Sequence, residues 1–186
     1  MKNTKKKLKG QSGVVKYSFL GNNITKYSEL NTVAKYMNKQ GVVKSISTLF
    51  PTEWHSATKF VIFHGSYPYM SELTVLAKRF PNVYIDICWM HIISPAASRQ
   101  YLEEWLLTVP SNKIMAFGGD FGEVVEGTYG HSEIARKNVA EVLTKLVGDG
   151  YYSEEDAILI AKRIFRENAL ELYKLKKVGD YFERTE

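Results

Sequence analysis

The sequence predicts an α/β fold in which parallel strands alternate with helices from about Phe60 to Leu175. Two observations favour this fold. Short apolar runs rich in β-branched residues recur, and each is followed by a segment with apolar residues at helical spacing. Because parallel neighbours need a crossover connection, the alternation predicts one parallel sheet with right-handed crossovers. Functional residues are then expected at the carboxyl ends of the strands.

The first strand–helix unit begins with the apolar run at residues 60–63, which ends at His64 and Gly65 and is followed by a turn containing Pro68. Ser71 is a predicted cap of the next helix. The apolar positions of that helix are Leu73, Leu76, Ala77 and Phe80, and Pro81 ends it.

Two further units follow the same pattern. A strand at residues 83–88 leads through a loop at Ser94 and Pro95 to a helix that Pro110 closes. A strand at residues 114–117 ends in Gly118, Gly119 and Asp120, and a glycine-rich loop at 122–131 precedes a helix at 132–147. Ser153 and the acidic residues at 154–156 open a last helix that reaches about residue 173.

The first sixty residues are less regular. They contain a predicted strand at residues 14–19, a helix at 27–40 and a weak strand at 42–46. Five lysines within the first nine residues account for the formal net charge of +5, since the remaining charges balance. We interpret them as a solvated terminus, and therefore predict neither a nucleic-acid nor a membrane partner.

Length and composition indicate one globular domain, because 186 residues with 45% hydrophobic side chains can bury one substantial core. The single cysteine, Cys88, cannot form an internal disulfide, which favours a reducing cytoplasm. No apolar stretch approaches the roughly 20 residues that cross a bilayer, and the N-terminus lacks a signal-peptide segment. We therefore expect a soluble, cytoplasmic protein.

His64 and Asp120 are the main candidates for chemistry, because each ends a predicted strand beside glycine. A neutral histidine is a common metal ligand and a general acid or base near pH 7. The aspartate offers a hard oxygen ligand, or a base that takes a proton from metal-bound water. The alternatives are a strand-end histidine hydrogen-bonded to backbone and an aspartate that only caps a helix or a turn.

Other polar and aromatic residues allow two interpretations each. Asp86 points either toward the active-site mouth or into a buried hydrogen bond. Trp89 walls a substrate pocket or simply packs, and His131, in the predicted loop, contacts substrate or caps the following helix. His91 is predicted to be an exposed loop histidine, and His55 a surface residue.

Several familiar catalytic motifs do not occur in the sequence. It contains no His-x-His pair, no HExxH, no Gly-x-Ser-x-Gly elbow, no phosphate-binding GxxxxGK[ST] and no zinc-finger spacing. The usual nucleophile and nucleotide-binding hypotheses therefore have no support.

Three strand-end strings and the terminal helix resemble the C-terminal part of the amidohydrolase family, in its amidohydrolase-related branch. The strings are HGSYPY at residues 64–69, FPNVYID at 80–86 and KIMAFGGDF at 113–121, and the terminal helix carries SEEDA at 153–157 and NALELY at 168–173. The resemblance covers about residues 49–175. It depends on three motifs and a helix that occur in the right order.

The resemblance implies the later strands of a metal-dependent (β/α)8 TIM barrel, with His64 as the sixth-strand histidine and Asp120 as the eighth-strand aspartate. A divalent metal, zinc most readily, would activate water to attack a C–N or C–O bond of a small molecule, with Asp120 as ligand and base. His64 would be a metal ligand or a catalytic residue. Tyr67, Trp89 and His131 are assigned to substrate binding. Related members instead decarboxylate aromatic or small carboxylic acids.

The sequence departs from the family pattern at the start of the barrel. The family's first-strand His-x-His pair and fifth-strand histidine have no match here, and a full barrel takes about 250 residues. We therefore expect a divergent basic segment at 1–48, an amidohydrolase-like half-barrel at 49–175 and a polar tail at 176–186.

Three alternatives remain open for such a chain. In the first, the chain is a truncated product that pairs with a complementing half-barrel or with a second copy of itself. In the second, it is a catalytically inactive fragment that binds partners through open strand edges. In the third, it is a flavodoxin-like sheet that binds a small ligand at a switch point without a phosphate loop.

Overall fold

The structure, a computed structural model, describes residues 14–17, 59–120, 124–178 and 181–184. In this part of the chain, four parallel strands form one sheet in sequence order. They are β1 (Val14–Tyr17), β2 (Lys59–Ile62), β3 (Val83–Asp86) and β4 (Ile114–Met115). The predicted α/β fold with a parallel sheet is confirmed. The predicted helix at 27–40, the weak strand at 42–46 and His55 lie outside the described residues.

The strand register brings the three strand ends of the C-terminal units to one edge. Phe60 of β2 pairs with Val83 of β3, and Ile85 of β3 pairs with Ile114 of β4. Strands β3 and β4 are shorter than the predicted runs at 83–88 and 114–117. The residues beyond each strand are therefore free to turn, and they build the loops in which the candidate residues lie.

Alternate residues of each strand face two different sides of the sheet. Ile62 and Ile85 face the main core, where they pack against helices, whereas Val61 and Met115 face a smaller cluster with Leu172. The main core contains most of the buried apolar side chains and includes the fully buried Trp105. Both faces of the sheet are thus covered in the described part of the chain.

Helix α1 (Met70–Arg79) packs on the main core through apolar residues at helical spacing, as predicted. Its N-cap is Tyr69, which makes no side-chain capping bond. The prediction that Ser71 caps this helix was wrong. Ser71 lies inside the helix, with its Oγ 3.0 Å from the Tyr101 hydroxyl. At the other end, the buried Lys113 ammonium donates hydrogen bonds to the Ala77 and Phe80 carbonyls.

A short helix, α2 (Met90–Ile93), precedes α3 (Pro95–Thr108). Ser94 caps α3, since its Oγ accepts a hydrogen bond from the Ala97 amide at 3.2 Å. The sequence predicted a loop in place of α2 and an exposed His91. That prediction was wrong, because His91 is fully buried.

Helix α4 (Val125–Gly148) begins seven residues before the predicted start at 132. His131 consequently lies within this helix and not in the predicted loop, which is a second correction. The next helix, α5 (Glu154–Lys162), begins at the predicted place, where Ser153 and Asp156 form a capping box. It continues as a π-helical segment, Arg163–Glu167, into α6 (Asn168–Tyr173).

The predicted polar tail contains two short antiparallel strands, β5 (Leu175–Val178) and β6 (Tyr181–Arg184). The domain boundaries after residues 48 and 175 stay predictions. No helix among the described residues is both long and apolar enough to cross a membrane.

Candidate metal centre

Left-handed backbone conformation is concentrated at three neighbouring strand ends. His64 (φ 57°) and Ser66 (φ 61°) follow β2, Trp89 (φ 60°) follows β3, and Asp120 (φ 47°) follows β4. For residues with a Cβ this conformation costs about 1–2 kcal/mol each. Such strain persists only where the surrounding contacts enforce it, and it is typical of functional sites. The loops at this edge of the sheet are therefore held in a specific shape.

His64 is buried and its ring orientation is fixed. Its Nδ1 lies 2.9 Å from the Cys88 carbonyl oxygen. Since a carbonyl can only accept, Nδ1 carries the hydrogen and donates it. In the neutral ring, Nε2 then keeps its lone pair and faces Asp120, whose Oδ2 is 3.8 Å away. Metal-binding histidines usually make this kind of outer hydrogen bond through the second ring nitrogen.

Gly65 allows the turn after β2 to pack closely. A Cβ added there would lie 2.6 Å from the Met90 sulfur and 2.7 Å from the Trp105 ring, and the residue has a φ of +53°. The close approach requires glycine, and the left-handed backbone favours it. The turn that carries His64 is therefore seated directly on the main core.

Cys88 lies between the two other strand ends and is held at its backbone. Its amide donates to Asp86 Oδ1 at 2.9 Å, and its carbonyl accepts from the Met90 amide at 2.7 Å as well as from His64. Burial raises the pKa of the Cys88 thiol, and the nearby carboxylates of Asp86 and Asp120 raise it further. Without a cation nearby, the thiol is therefore protonated.

The three side chains of His64, Cys88 and Asp120 form a cluster with metal-ligand chemistry. One ring nitrogen, the sulfur and a carboxylate oxygen all lie within 4.8 Å of one another. The side chain of Asp120 is 48% exposed and that of His64 only 3%. The cluster therefore opens to solvent on the Asp120 side, where a water or a substrate can approach.

The donor set fits a transition-metal ion better than a hard cation. Nitrogen, sulfur and carboxylate oxygen are the ligand types of zinc, and a catalytic zinc site has three protein ligands and one open position. Zinc–ligand bonds of about 2.0–2.2 Å at a tetrahedral angle separate nitrogen and oxygen ligands by about 3.4 Å. The observed separation of 3.8 Å between His64 and Asp120 is close to that spacing.

A buried polar network supports the end of β4. His91 Nε2 donates to the Ala116 carbonyl at 2.8 Å, and Asn138 donates to His91 Nδ1 at 3.1 Å. Asn138 also bonds Ser98 and Arg99. Burial lowers the pKa of His91 to about 4, so its ring is neutral at pH 7. The network fixes the backbone just before the glycines that lead to Asp120.

His131 belongs to the same region and not to an open pocket. Its ring is 2% exposed and lies 5.0 Å from the Phe117 ring and 5.9 Å from that of His91, between centroids. Burial lowers the pKa of His131. Its predicted position in a loop was wrong, and its assignment to substrate binding stays a prediction.

Trp89 and Tyr67 differ in their surroundings. Trp89 is 37% exposed, and its ring centroid lies 6.4 Å from that of His64. Tyr67 is partly buried and packs against the main core. Asp86 makes the buried hydrogen bond to Cys88 that was one of its two predicted alternatives. The substrate roles of Trp89 and Tyr67 stay predictions, and Trp89 is the one beside the cluster.

A sequence model of the family described as Amidohydrolase matches residues 48–175, which is more than half of the chain. The chain belongs to the amidohydrolase family. This amidohydrolase chain is 32% identical over 119 residues to Protein fluG of Emericella nidulans. The match covers 63% of the chain but only 14% of that relative, so the chain spans a small part of the relative's length.

A solved structure is also similar to the amidohydrolase chain. It is that of a proposed metal-dependent hydrolase from Lactobacillus casei ATCC 334, with 22% sequence identity and a TM-score of 0.49. The similar region covers 63% of this chain and 30% of the other.

Proposed function

We propose that the chain supplies the later strands of a metal-dependent hydrolase that attacks a C–N or C–O bond of a small molecule. The observation that carries the proposal is the approach of His64 Nε2 to Asp120 Oδ2, at 3.8 Å, across the ends of β2 and β4. Membership of the amidohydrolase family supports the same reaction class. Sharing a fold alone would not support a reaction class, because function depends on the residues of the site.

His64 and Asp120 would hold the ion, with zinc the preferred metal. When bound, a divalent metal supplies a water of lowered pKa and polarises a substrate oxygen. His64 presents Nε2 as a ligand because its Nδ1 hydrogen is committed to the Cys88 carbonyl. The exposed carboxylate of Asp120 can also accept a proton from a neighbouring water, as a general base does.

Trp89 would form one wall of the substrate site. Its half-exposed ring beside His64 offers an apolar face to a planar group of the substrate. The exposed ring also favours a second candidate reaction, the decarboxylation of an aromatic acid. The aromatic ring of such a substrate would stack on Trp89 while its carboxylate bound the ion. The two reactions release different products and can be distinguished directly.

We propose that the sheet is part of a (β/α)8 barrel. The support is the strand order, since β1 to β4 are parallel and adjacent in sequence order. Right-handed crossovers between strands that advance in one direction place their helices on one face, as in a barrel. A doubly wound sheet instead reverses its strand order at a switch point, and the described sheet has no reversal.

The remaining barrel strands would come from a complementing segment or from a second copy of the chain. In the described sheet, β1 is an edge strand, and an edge strand offers its backbone groups for pairing. The single buried cysteine supports a reducing, cytoplasmic setting. We propose no nucleic-acid or membrane partner.

Metal analysis of the purified full chain tests the proposed function. After dialysis, the wild type should retain a divalent metal, and Asp120→Asn should lose most of it. Asp149→Asn is a matched control, because Asp149 is an exposed aspartate that pairs with Lys145 on α4. It should retain metal as the wild type does.

Activity assays then separate the reactions. The metal-loaded chain, alone and mixed with complementing barrel strands, is assayed for hydrolysis of small amides and esters and for carbon dioxide release from aromatic acids. Loss of hydrolysis in Asp120→Asn, with activity kept in Asp149→Asn, is the expected result. A wild type that retains no divalent metal would contradict the proposal.

A further inference from the structure

Cys88 is held at the candidate centre through its backbone amide, its carbonyl and its Cβ. Its amide and its carbonyl are both hydrogen-bonded, to Asp86 and to His64. Gly118 of the β4 exit approaches so closely that an added Cβ would lie 2.6 Å from the Cys88 Cβ. A backbone fixed at both polar groups determines the direction of the side chain, which is how preorganised ligands are built.

The sulfur lies within reach of the other two donor groups. Cys88 Sγ, one ring nitrogen of His64 and a carboxylate oxygen of Asp120 all lie within 4.8 Å of one another. The sulfur also lies 3.7 Å from His64 Nδ1, the ring nitrogen that donates to the Cys88 carbonyl. Zinc–sulfur bonds of about 2.3 Å would place a sulfur ligand about 3.6 Å from a nitrogen or oxygen ligand. The carboxylate of Asp120 is the exposed member of the cluster, so its side chain is free to rotate toward a bound ion.

We infer that Cys88 is the third protein ligand of this centre, which makes it a nitrogen–sulfur–oxygen site for a thiophilic divalent cation such as zinc or cobalt. The inference rests on the proposed metal-dependent function and names a ligand beyond it. On binding, the Cys88 thiol loses its proton to solvent and the thiolate bonds the ion, since a coordinating thiol is deprotonated.

The alternative is a buried thiol with no ligand role. Cys88 is almost fully buried, and buried cysteines commonly behave as small apolar residues. In that case its sulfur would only pack beside the His64 ring, and a metal held by His64 and Asp120 would have nitrogen and oxygen ligands alone. The two cases differ in whether sulfur is bonded to the ion.

X-ray absorption at the zinc edge of the zinc-loaded full chain tests the inference directly. A sulfur scatterer at about 2.3 Å, besides nitrogen and oxygen at about 2.0–2.2 Å, is expected. This measurement uses the wild type, so it does not depend on the folding of any variant. A first shell of nitrogen and oxygen only would overturn the inference and leave the proposed metal-dependent function intact. Absence of bound zinc would overturn both.

Cobalt substitution gives an independent readout. A thiolate bonded to cobalt(II) adds a charge-transfer absorption in the near ultraviolet, which the wild type should show and Cys88→Ser should lack. Met115→Leu is the matched control, because Met115 is a buried sulfur-containing residue of the same sheet that lies outside the ligand cluster. It should keep the absorption.

Cobalt affinity completes the test. Cys88→Ser should bind cobalt at least about 10-fold more weakly than the wild type, since losing even an outer-shell partner costs about 10–100-fold. Equal affinities and equal spectra for wild type and Cys88→Ser would overturn the inference.

Discussion

Single residues at the strand ends explain how the candidate centre is held together. The left-handed residues His64, Trp89 and Asp120 lie on three adjacent loops, and together they cost several kcal/mol at about 1–2 kcal/mol each. The hydrogen bond from His64 to Cys88 and the close packing of Gly118 on Cys88 hold all three loops together. The geometry of the centre therefore depends on contacts between the loops as well as on the ligands.

Gly118→Ala should destabilise the chain by about 1–3 kcal/mol, the usual cost of overpacking. The reason is that the added Cβ would lie 2.6 Å from the Cys88 Cβ and 3.3 Å from Asp86 Oδ1, both of which are fixed. Urea denaturation measures the change in the free energy of unfolding.

Gly130→Ala provides a matched control with the opposite sign. Gly130 lies within α4, and an added Cβ there would meet nothing within 4 Å. Alanine should therefore stabilise this helix by about 0.5–1 kcal/mol. If the two variants had equal stabilities, the close approach at Gly118 would not be a real constraint.

At the scale of the elements, the sequence predicted most strands and helices but not all of their boundaries. Apolar runs and helical spacing placed β2, β3, α1 and α3 correctly, because both periodicities reflect burial on one core. The start of α4 was misplaced because glycines at 127 and 130 suggested a loop. The part of α4 from His131 onward is packed on the core, and helix propagation from that part extends through the more exposed residues 125–130 despite the two glycines.

The candidate centre was only partly predictable. His64 and Asp120 were visible in the sequence because each follows a strand, and parallel strands end at a common edge. Cys88 was not recognised as a site residue, since a lone cysteine forms no ligand motif with other residues in the sequence. Its place in the cluster depends on the β3–β4 register and on the approach of Gly118. His91 was missed for a similar reason, because its partners, Ala116 and Asn138, are distant in sequence.

The buried His91 of α2, which bonds the Ala116 carbonyl beyond β4, predicts a specific pH dependence of stability. His91 has a pKa of about 4 in the folded chain and about 6.5 when unfolded. The unfolded chain therefore binds the extra proton first, and stability is lost as pH falls from about 6.5 toward 4. Between pH 7.5 and pH 5 the loss through His91 should be about 2 kcal/mol. His91→Gln should remove this part of the pH dependence, measured by urea denaturation at both pH values.

Ser98→Ala separates titration from damage to the network. Ser98 bonds Asn138 but carries no titratable group, so its loss should lower stability by the same amount at pH 7.5 and pH 5. If the wild type and His91→Gln lost stability in parallel between these pH values, His91 would not be the group that titrates.

At the scale of the whole molecule, the terminal helical segment covers the outer edge of β4. The Ala116 amide donates to the Ile164 carbonyl at 2.8 Å, and the Asn168 side chain donates to the Ser111 and Ile114 carbonyls at 2.7 Å each. The π-helical segment at 163–167 makes the bond to the Ile164 carbonyl possible. A π-turn disturbs the regular helical hydrogen bonds, one of which would otherwise occupy that carbonyl. An additional strand could therefore pair at β4 only by displacing this terminal segment.

Asn168→Ala should open the covered edge. The substitution leaves the Ser111 and Ile114 carbonyls without their amide donor, which should lower the free energy of unfolding by about 2–3 kcal/mol. The freed β4 edge should also promote self-association, detected by size-exclusion chromatography with light scattering. Asn112→Ala, at an exposed position close to β4, should change stability by less than about 0.5 kcal/mol. Unchanged stability and an unchanged oligomeric state in Asn168→Ala would mean that the terminal helix does not protect this edge, and a further strand could then pair at β4 directly.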